Sequence, residues 1–176
     1  MSNSLFQRLL SEQFHQLPGP ITALHDGRSK VLRGECDVER GSGFVATFLA
    51  WVTSLPPAGL QQPIEVAITC NERGEIWVRK FGARSMRSSL VSQGSTLVEW
   101  LGPVRFKFKL VYDAANAHIN WQLHHVAVLG VPLPVGWFDR VSARESMRGG
   151  KYCFDVSATL PFAGLLVRYH GWLDVH

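Results

Sequence analysis

Val104 to Leu173, which bends at Gly130-Val131-Pro132-Leu133-Pro134, is the stretch that decides the fold. On either side of this proline corner, apolar residues recur at every second position, the period of strands with one buried face. Before the corner, Phe106, Phe108, Leu110 and Tyr112 share a face opposite Arg105, Lys107 and Lys109. The next strand puts Ile119, Trp121, Leu123 and His125 together. After the corner come Val141, Ala143, Glu145 and Met147, then Tyr152, Phe154, Val156, Ala158 and Leu160, then Leu165, Val167, Tyr169, Gly171 and Leu173. Gly149-Gly150 is a strong hairpin signal, because both central positions of a type I′ turn need φ > 0.

Turn positions set register, so they predict partners. A turn centred on Gly102 places Val98 opposite Phe106. One centred between Ala114 and Ala115 pairs Leu110 with Ile119, Phe108 with Trp121 and Phe106 with Leu123. The Gly149-Gly150 turn pairs Met147 with Tyr152 and Glu145 with Phe154. The last turn, Pro161 to Gly164, pairs Leu160 with Leu165, Ala158 with Val167 and Phe154 with Gly171. Carried across the proline corner with a turn near Val135, the same reasoning sets His125 against Glu145, in a row with Val104, Phe154 and Gly171.

Working outward, Ser4 caps an N-terminal helix whose residues Leu5, Phe6, Leu9, Leu10 and Phe14 fall at helical spacing. Pro18-Gly19-Pro20 ends it. A short turn or helix follows at Leu24-His25-Asp26, where His25 reads as a surface or capping residue. Arg28 to Arg40 alternates as a half-buried strand. Ser42 then caps a second helix through Phe44, Val45, Phe48, Leu49 and Val52, closed by Leu55-Pro56-Pro57. Strands follow at Ile64–Ile68, Ile76–Phe81, Ser85–Val91 and Thr96–Trp100. The prediction is a single, mainly β (α+β) domain over residues 1–176, with a helical segment at 1–26 and a body at 27–176. About ten antiparallel strands in a meander are too many to stay flat, and should close into a barrel or curl strongly. This layout looks like the lipocalin and fatty-acid-binding-protein class, a likeness that carries no function.

Composition narrows the function classes. Hydrophobic residues make up 46% of the 176 residues, which excludes a disordered chain. The net charge is +4, with Lys and Arg scattered, so there is no basic stripe of the kind nucleic-acid binders carry. Three cysteines without CxxC spacing point to neither a disulfide framework nor a zinc site. No signal-peptide pattern and no apolar run of about 20 residues is present, so a soluble, cytoplasmic protein is expected.

No catalytic or metal motif stands out, and no cofactor or metal is expected. His125 beside Glu145 on the apolar face would be a buried polar pair, able to anchor a ligand or act as a base. Arg79, between Trp77 and Phe81, would turn a guanidinium inward, suited to a carboxylate or phosphate. Arg144, Asp155 and His170 fall side by side on the opposite face, with Ser157 and Arg168 in the next row. They read as a solvated salt-bridge row and not as a hydrolase, because no nucleophile elbow is present. A single His could ligate haem in a barrel, and His125 or His170 would be the candidate.

The leading expectation is a non-catalytic domain that binds a small hydrophobic or lipid-like molecule. Its ligand-binding residues would be Arg79, Phe106, Phe108, Trp121, His125, Glu145, Phe154 and Tyr169. Two alternatives stand beside it: an isomerase, cyclase or lyase using His125 and Glu145 as acid and base, and a packed-core interaction domain.

Several stretches also resemble a bacterial family known as a domain of unknown function, numbered four-one-six-six. They are Arg33-Gly34, Val38-Glu39-Arg40-Gly41, Leu55-Pro56-Pro57-Ala58-Gly59, Trp77-Val78-Arg79-Lys80-Phe81-Gly82, the proline corner, and Leu160 to Leu173 with its Arg168-Tyr169-His170-Gly171-Trp172 run. The resemblance covers the chain from His25 onward. It brings no active site with it. Related domains stand behind saccharopine-dehydrogenase-like, nucleotide-binding modules, which implies a substrate-handling role or an oxidoreductase domain as partner.

Overall fold

The computed structural model describes residues 3–44, 46–47 and 55–175. Its strands are β1 (Lys30–Arg40), β2 (Gly59–Asn71), β3 (Gly74–Phe81), β4 (Arg84–Gln93), β5 (Thr96–Leu101), β6 (Val104–Asp113), β7 (His118–Val128), β8 (Val131–Leu133), β9 (Arg140–Arg148), β10 (Lys151–Leu160) and β11 (Gly164–Asp174). Every pairing is antiparallel, in the order β6-β5-β4-β3-β2-β1-β11-β10-β9-β7-β8, and β6 also pairs with β7. Ten strands thus close into a barrel, and β8 is an extra strand outside the ring. Closure satisfies the backbone groups that a flat meander would leave bare at its edges.

The alternating residues supply the core. Val66, Trp77, Leu90, Leu97, Phe108, Ile119, Tyr152 and Leu173 are all buried. The Gly149-Gly150 turn has φ of 57° and 77°, as the hairpin reading requires, and Tyr152 faces Met147 while Phe154 faces Glu145. Across the last turn Ala158 faces Val167 and Phe154 faces Gly171, but a bulge after Ala158 pairs Leu160 with Gly164 instead of Leu165.

Where β1 meets β11 the strands approach unusually closely. A Cβ on Gly34 would lie 1.8 Å from the Trp172 carbonyl oxygen, and one on Gly171 would lie 2.1 Å from that of Glu35. Only a residue without a side chain fits at either place, so these two glycines permit the seam that joins the first strand to the last.

The N-terminal segment closes one end. In α1 (Leu5–Leu10), Ser4 Oγ accepts from the Gln7 N–H at 3.1 Å and Gln7 Oε1 accepts from the Ser4 N–H at 2.6 Å, a complete capping box. A 3-10 segment (Ser11–Gln16) and α2 (Gly19–Leu24) follow. Helices of six residues do not persist alone in water. What stabilises these is burial of Phe6, Leu10, Phe14, Ile21 and Leu24, worth about 1.5–3 kcal/mol for each large side chain. Two polar ties lock the plug in place. The Tyr112 hydroxyl donates to the Gln16 carbonyl at 3.0 Å, and the Lys30 ammonium donates to the Ala23 carbonyl and to Asp26.

The second expected helix, from Ser42 through Val52, lies mostly outside the described residues. At its start the Thr47 N–H donates to the Gly43 carbonyl at 2.9 Å. Cys36, Cys70 and Cys153 are free thiols. Among the described residues no helix is long and apolar enough to cross a membrane.

Three expected registers are corrected. The turn at Gly102-Pro103 has two residues, so Leu101 faces Val104 and Glu99, not Val98, faces Phe106. A four-residue turn after Asp113 moves the β6–β7 register by two positions. Leu110 faces Trp121, and Phe108 faces Leu123. The third correction concerns the site itself.

Candidate functional site

The proline corner is not a hairpin between β7 and β9. Val131–Leu133 folds back as β8 onto Val126–Val128, and a 3-10 turn at Val135–Phe138 leads into β9. The register of β9 is therefore set further down the barrel, where Ile119 faces Glu145 and Trp121 faces Ala143. His125 lies six residues beyond the position that meets Glu145, a distance of roughly 20 Å along a strand.

A bulge also turns His125 away. Lys107 faces His125 while the adjacent Phe108 faces Leu123, so His124 has no partner across the ladder. An extra residue reverses the alternation. Leu123 packs on the core below the bulge, Val126 lines the interior above it, and His125 points outward beside Lys107. The expected His125–Glu145 pair does not form.

Glu145 has another partner. His25, at the end of α2, reaches from the plug and places Nε2 2.7 Å from Glu145 Oε2, with the His25 side chain fully buried and that of Glu145 5% exposed. Phe6 stacks on the imidazole at 3.5 Å between centroids, Trp77 lies at 5.9 Å, and Tyr152 meets it edge-on at 6.5 Å. A carboxylate acceptor on Nε2 places the ring proton there, and Nδ1 then has no hydrogen-bond partner among the described residues. Tyr152 stands beside the pair. Burial first, and the Glu145 carboxylate second, push its phenol well above the usual range, so it keeps its proton as a donor.

Glu75 completes this polar floor. It is 4% exposed and accepts from the Trp77 indole N–H at 2.8 Å. Burial raises its carboxyl above the usual value, against the opposing pull of His25. Of the whole group, Glu145 and Tyr152 line the cavity above, and His25 and Glu75 stand behind them.

That cavity has a volume of about 490 Å³, and its walls are almost wholly apolar. Phe106, Phe108, Trp121, Phe154 and Tyr169 line it, as their strand faces predict, and so do Val66, Met86 and Val156. Arg79 also points in, as expected. Its Nη1 donates to Ser88 Oγ at 2.9 Å, its Nη2 lies 3.6 Å from Glu99 Oε1, and its Cζ sits 5.0 Å from the Trp77 ring centroid. These contacts occupy two of the five N–H donors of the guanidinium. Tyr169, its phenol pushed up by burial, is within reach of the same charge.

The mouth faces away from the plug. β7 and β9 pair over only four positions, His118–Trp121 with Ala143–Ser146, and part above them. Leu133, Trp137 and Phe138 line the cavity at that parting, and the Trp137 and Phe162 rings meet edge-on at 5.2 Å. On the outside of the barrel, Arg144 and His170 both flank Asp155 as read. Arg168 bridges Asp155 at 3.3 Å and His170 lies 3.7 Å from Asp37. This row is a surface salt-bridge network, and Arg144 also borders the cavity.

Sequence reasoning misses three residues of the site: His25, Glu75 and Glu99. His25 carried a signal, since Ile21, Leu24 and His25 fall at i, i+3 and i+4 and so share one helical face. Glu75 continues the inward set Trp77, Arg79 and Phe81 by one more step of two. Glu99 is lost through the one-residue error at the Gly102 turn. The chemical capacity of the arrangement is modest. It offers a hydrogen-bonded His–carboxylate pair, a phenol donor, and an arginine–glutamate pair on an apolar wall.

No curated protein matches the chain. A family match covers residues 17–173 and so takes in α2 with His25 as well as the whole barrel. On that evidence the protein belongs to the family described as Domain of unknown function (DUF4166).

Proposed function

We propose that this domain binds an uncharged, lipid-like molecule in the barrel, with its polar end toward Arg79 and the Glu145–Tyr152 floor. The observation that carries the reading is the cavity itself. About 490 Å³ lies within the range of small-molecule sites, and a few polar groups converge on an apolar wall. An uncharged guest suits the charge balance. Arg79 is already paired with Glu99, so a carboxylate guest would have to displace Glu99 and face Glu145 as well. A hydroxyl, ester or carbonyl instead needs only the spare N–H donors of Arg79 or the Tyr152 hydroxyl.

Native mass spectrometry of the purified protein, followed by titration with a neutral dye such as Nile red, tests this. A saturable one-to-one complex is expected, displaced by a long-chain alcohol at least tenfold better than by the matching carboxylate. Ala158→Phe, which places a ring in the cavity, should abolish binding with the fold intact. Ligand-free spectra together with no saturable dye binding would overturn the proposal, and so would an unaffected Ala158→Phe protein.

A further inference from the structure

The two ends of the barrel differ in chemistry. At the plug end the turns are charged or polar: Asn71-Glu72-Arg73-Gly74, Asp113 to His118, Arg148-Gly149-Gly150-Lys151 and Asp26-Gly27-Arg28. At the mouth, Leu129 to Phe138 has no charged residue, nor does Gly102-Pro103, Pro161 to Ala163 or Gly41 to Phe44. Several of these mouth residues stand in the open. Phe44 is 88% exposed, Leu129 82%, Val131 63%, Phe162 56% and Trp137 41%. So many large apolar side chains at one end exceed the scatter a soluble surface ordinarily shows.

The surrounding charge identifies the partner. Arg40, Arg84, Arg105 and Arg140 stand at the strand ends bordering these loops, and none has an ion-pair partner among the described residues. Asp139 is the one acid within the Leu129–Arg140 connection. An apolar tip inside a collar of arginines matches the profile of an anionic bilayer, with apolar tails below and negative headgroups at the level of the collar. Shape points the same way. The exposed side chains sit on separate loops around this end of the barrel, a broken surface to which lipid tails conform more readily than a rigid partner does. We infer that the mouth end docks onto membranes carrying anionic lipid. This surface claim goes beyond the cavity reading and does not need it.

Co-sedimentation of the full chain with phosphatidylcholine vesicles, with and without phosphatidylglycerol, tests the inference. Binding should rise with the anionic fraction and fall with salt, each basic residue near the surface contributing roughly fivefold. Leu129→Asp keeps the fold, because φ at this exposed position is 50° and Asp tolerates that region. It should weaken binding at least tenfold, as should Phe162→Glu. Arg84→Glu with Arg140→Glu should remove the preference for anionic lipid. Arg73→Glu with Arg148→Glu, at the opposite end, should change the affinity much less. Failure to sediment with either vesicle overturns the proposal, as does binding that the mouth variants leave unchanged. Concentration-dependent self-association that Leu129→Asp abolishes, without vesicle binding, would assign the surface to a protein contact and overturn it equally. Dye binding in the cavity is measured without vesicles, so the two readings fail separately.

Discussion

Replacing Glu145 by leucine should expose how the plug is tied to the barrel. The carboxylate is 2.7 Å from His25 Nε2, and both side chains are almost completely buried. Glu145→Leu leaves the His25 N–H in an apolar slot between Phe6 and Trp77 with no acceptor. Removing one partner of a buried pair costs about 3–5 kcal/mol. His25→Phe alone strands the carboxylate instead and should cost a similar amount, softened by the Tyr152 hydroxyl. The double variant His25→Phe/Glu145→Leu removes both polar groups, and a phenyl ring keeps the stack on Phe6, so it should fall within about 1–2 kcal/mol of the wild type. Guanidinium unfolding followed by tryptophan fluorescence gives the three free energies. In a domain of this size each single variant should also lower Tm by about 6–20 °C. If the two single losses simply add in the double variant, His25 and Glu145 are not coupled and the description of the floor is wrong.

Two further outcomes follow from the same structure. Glu75 has a carboxyl raised above its usual 4.5, chiefly by burial, so the folded state holds that proton more tightly than the unfolded chain does. Its contribution to stability is fully present below the unfolded value and is lost as pH rises through the folded one. Glu75→Gln keeps an acceptor for the Trp77 indole and should remove that decline, becoming more stable relative to wild type as pH rises from 4.5 to neutrality. A parallel pH profile of the two proteins in chemical denaturation would contradict this. At the seam, Gly171→Ala places a methyl group 2.1 Å from the Glu35 carbonyl oxygen, and should cost about 3 kcal/mol or more, the upper end of overpacking. Gly94 has a φ of 61° with nothing within 4 Å, so Gly94→Asn should change stability by no more than about 0.5 kcal/mol. Equal thermal shifts in the two would show that close approach is not what the seam glycine serves.

Much of the barrel was legible because alternation is a local property. Phe106, Phe108, Trp121, Phe154 and Tyr169 could be assigned to the interior from strand parity alone, and Arg79 followed from Trp77 and Phe81. The register was correct at the two-glycine turn Gly149-Gly150, where the residue pair itself specifies the turn. Registers failed where a residue count could not be read from composition. The Gly102-Pro103 turn hid Glu99, the four-residue turn after Asp113 shifted β7 by two, and the extra His124 reversed the face of His125.

The site depended on contacts that no local pattern contains. Glu145 was identified correctly as an inward carboxylate, yet its partner lies 120 residues away in the sequence, on the plug. The pairing arises because closing the barrel leaves one end to be filled, and α2 fills it with the face that carries Ile21, Leu24 and His25. By itself, then, the sequence determined which residues of an unbroken strand share a face, because a side chain's direction there depends only on its immediate neighbours. The tertiary structure decided which inward residues meet. That depends on where a ten-strand ring closes and on what enters its end, and both are set by packing between residues far apart in the chain.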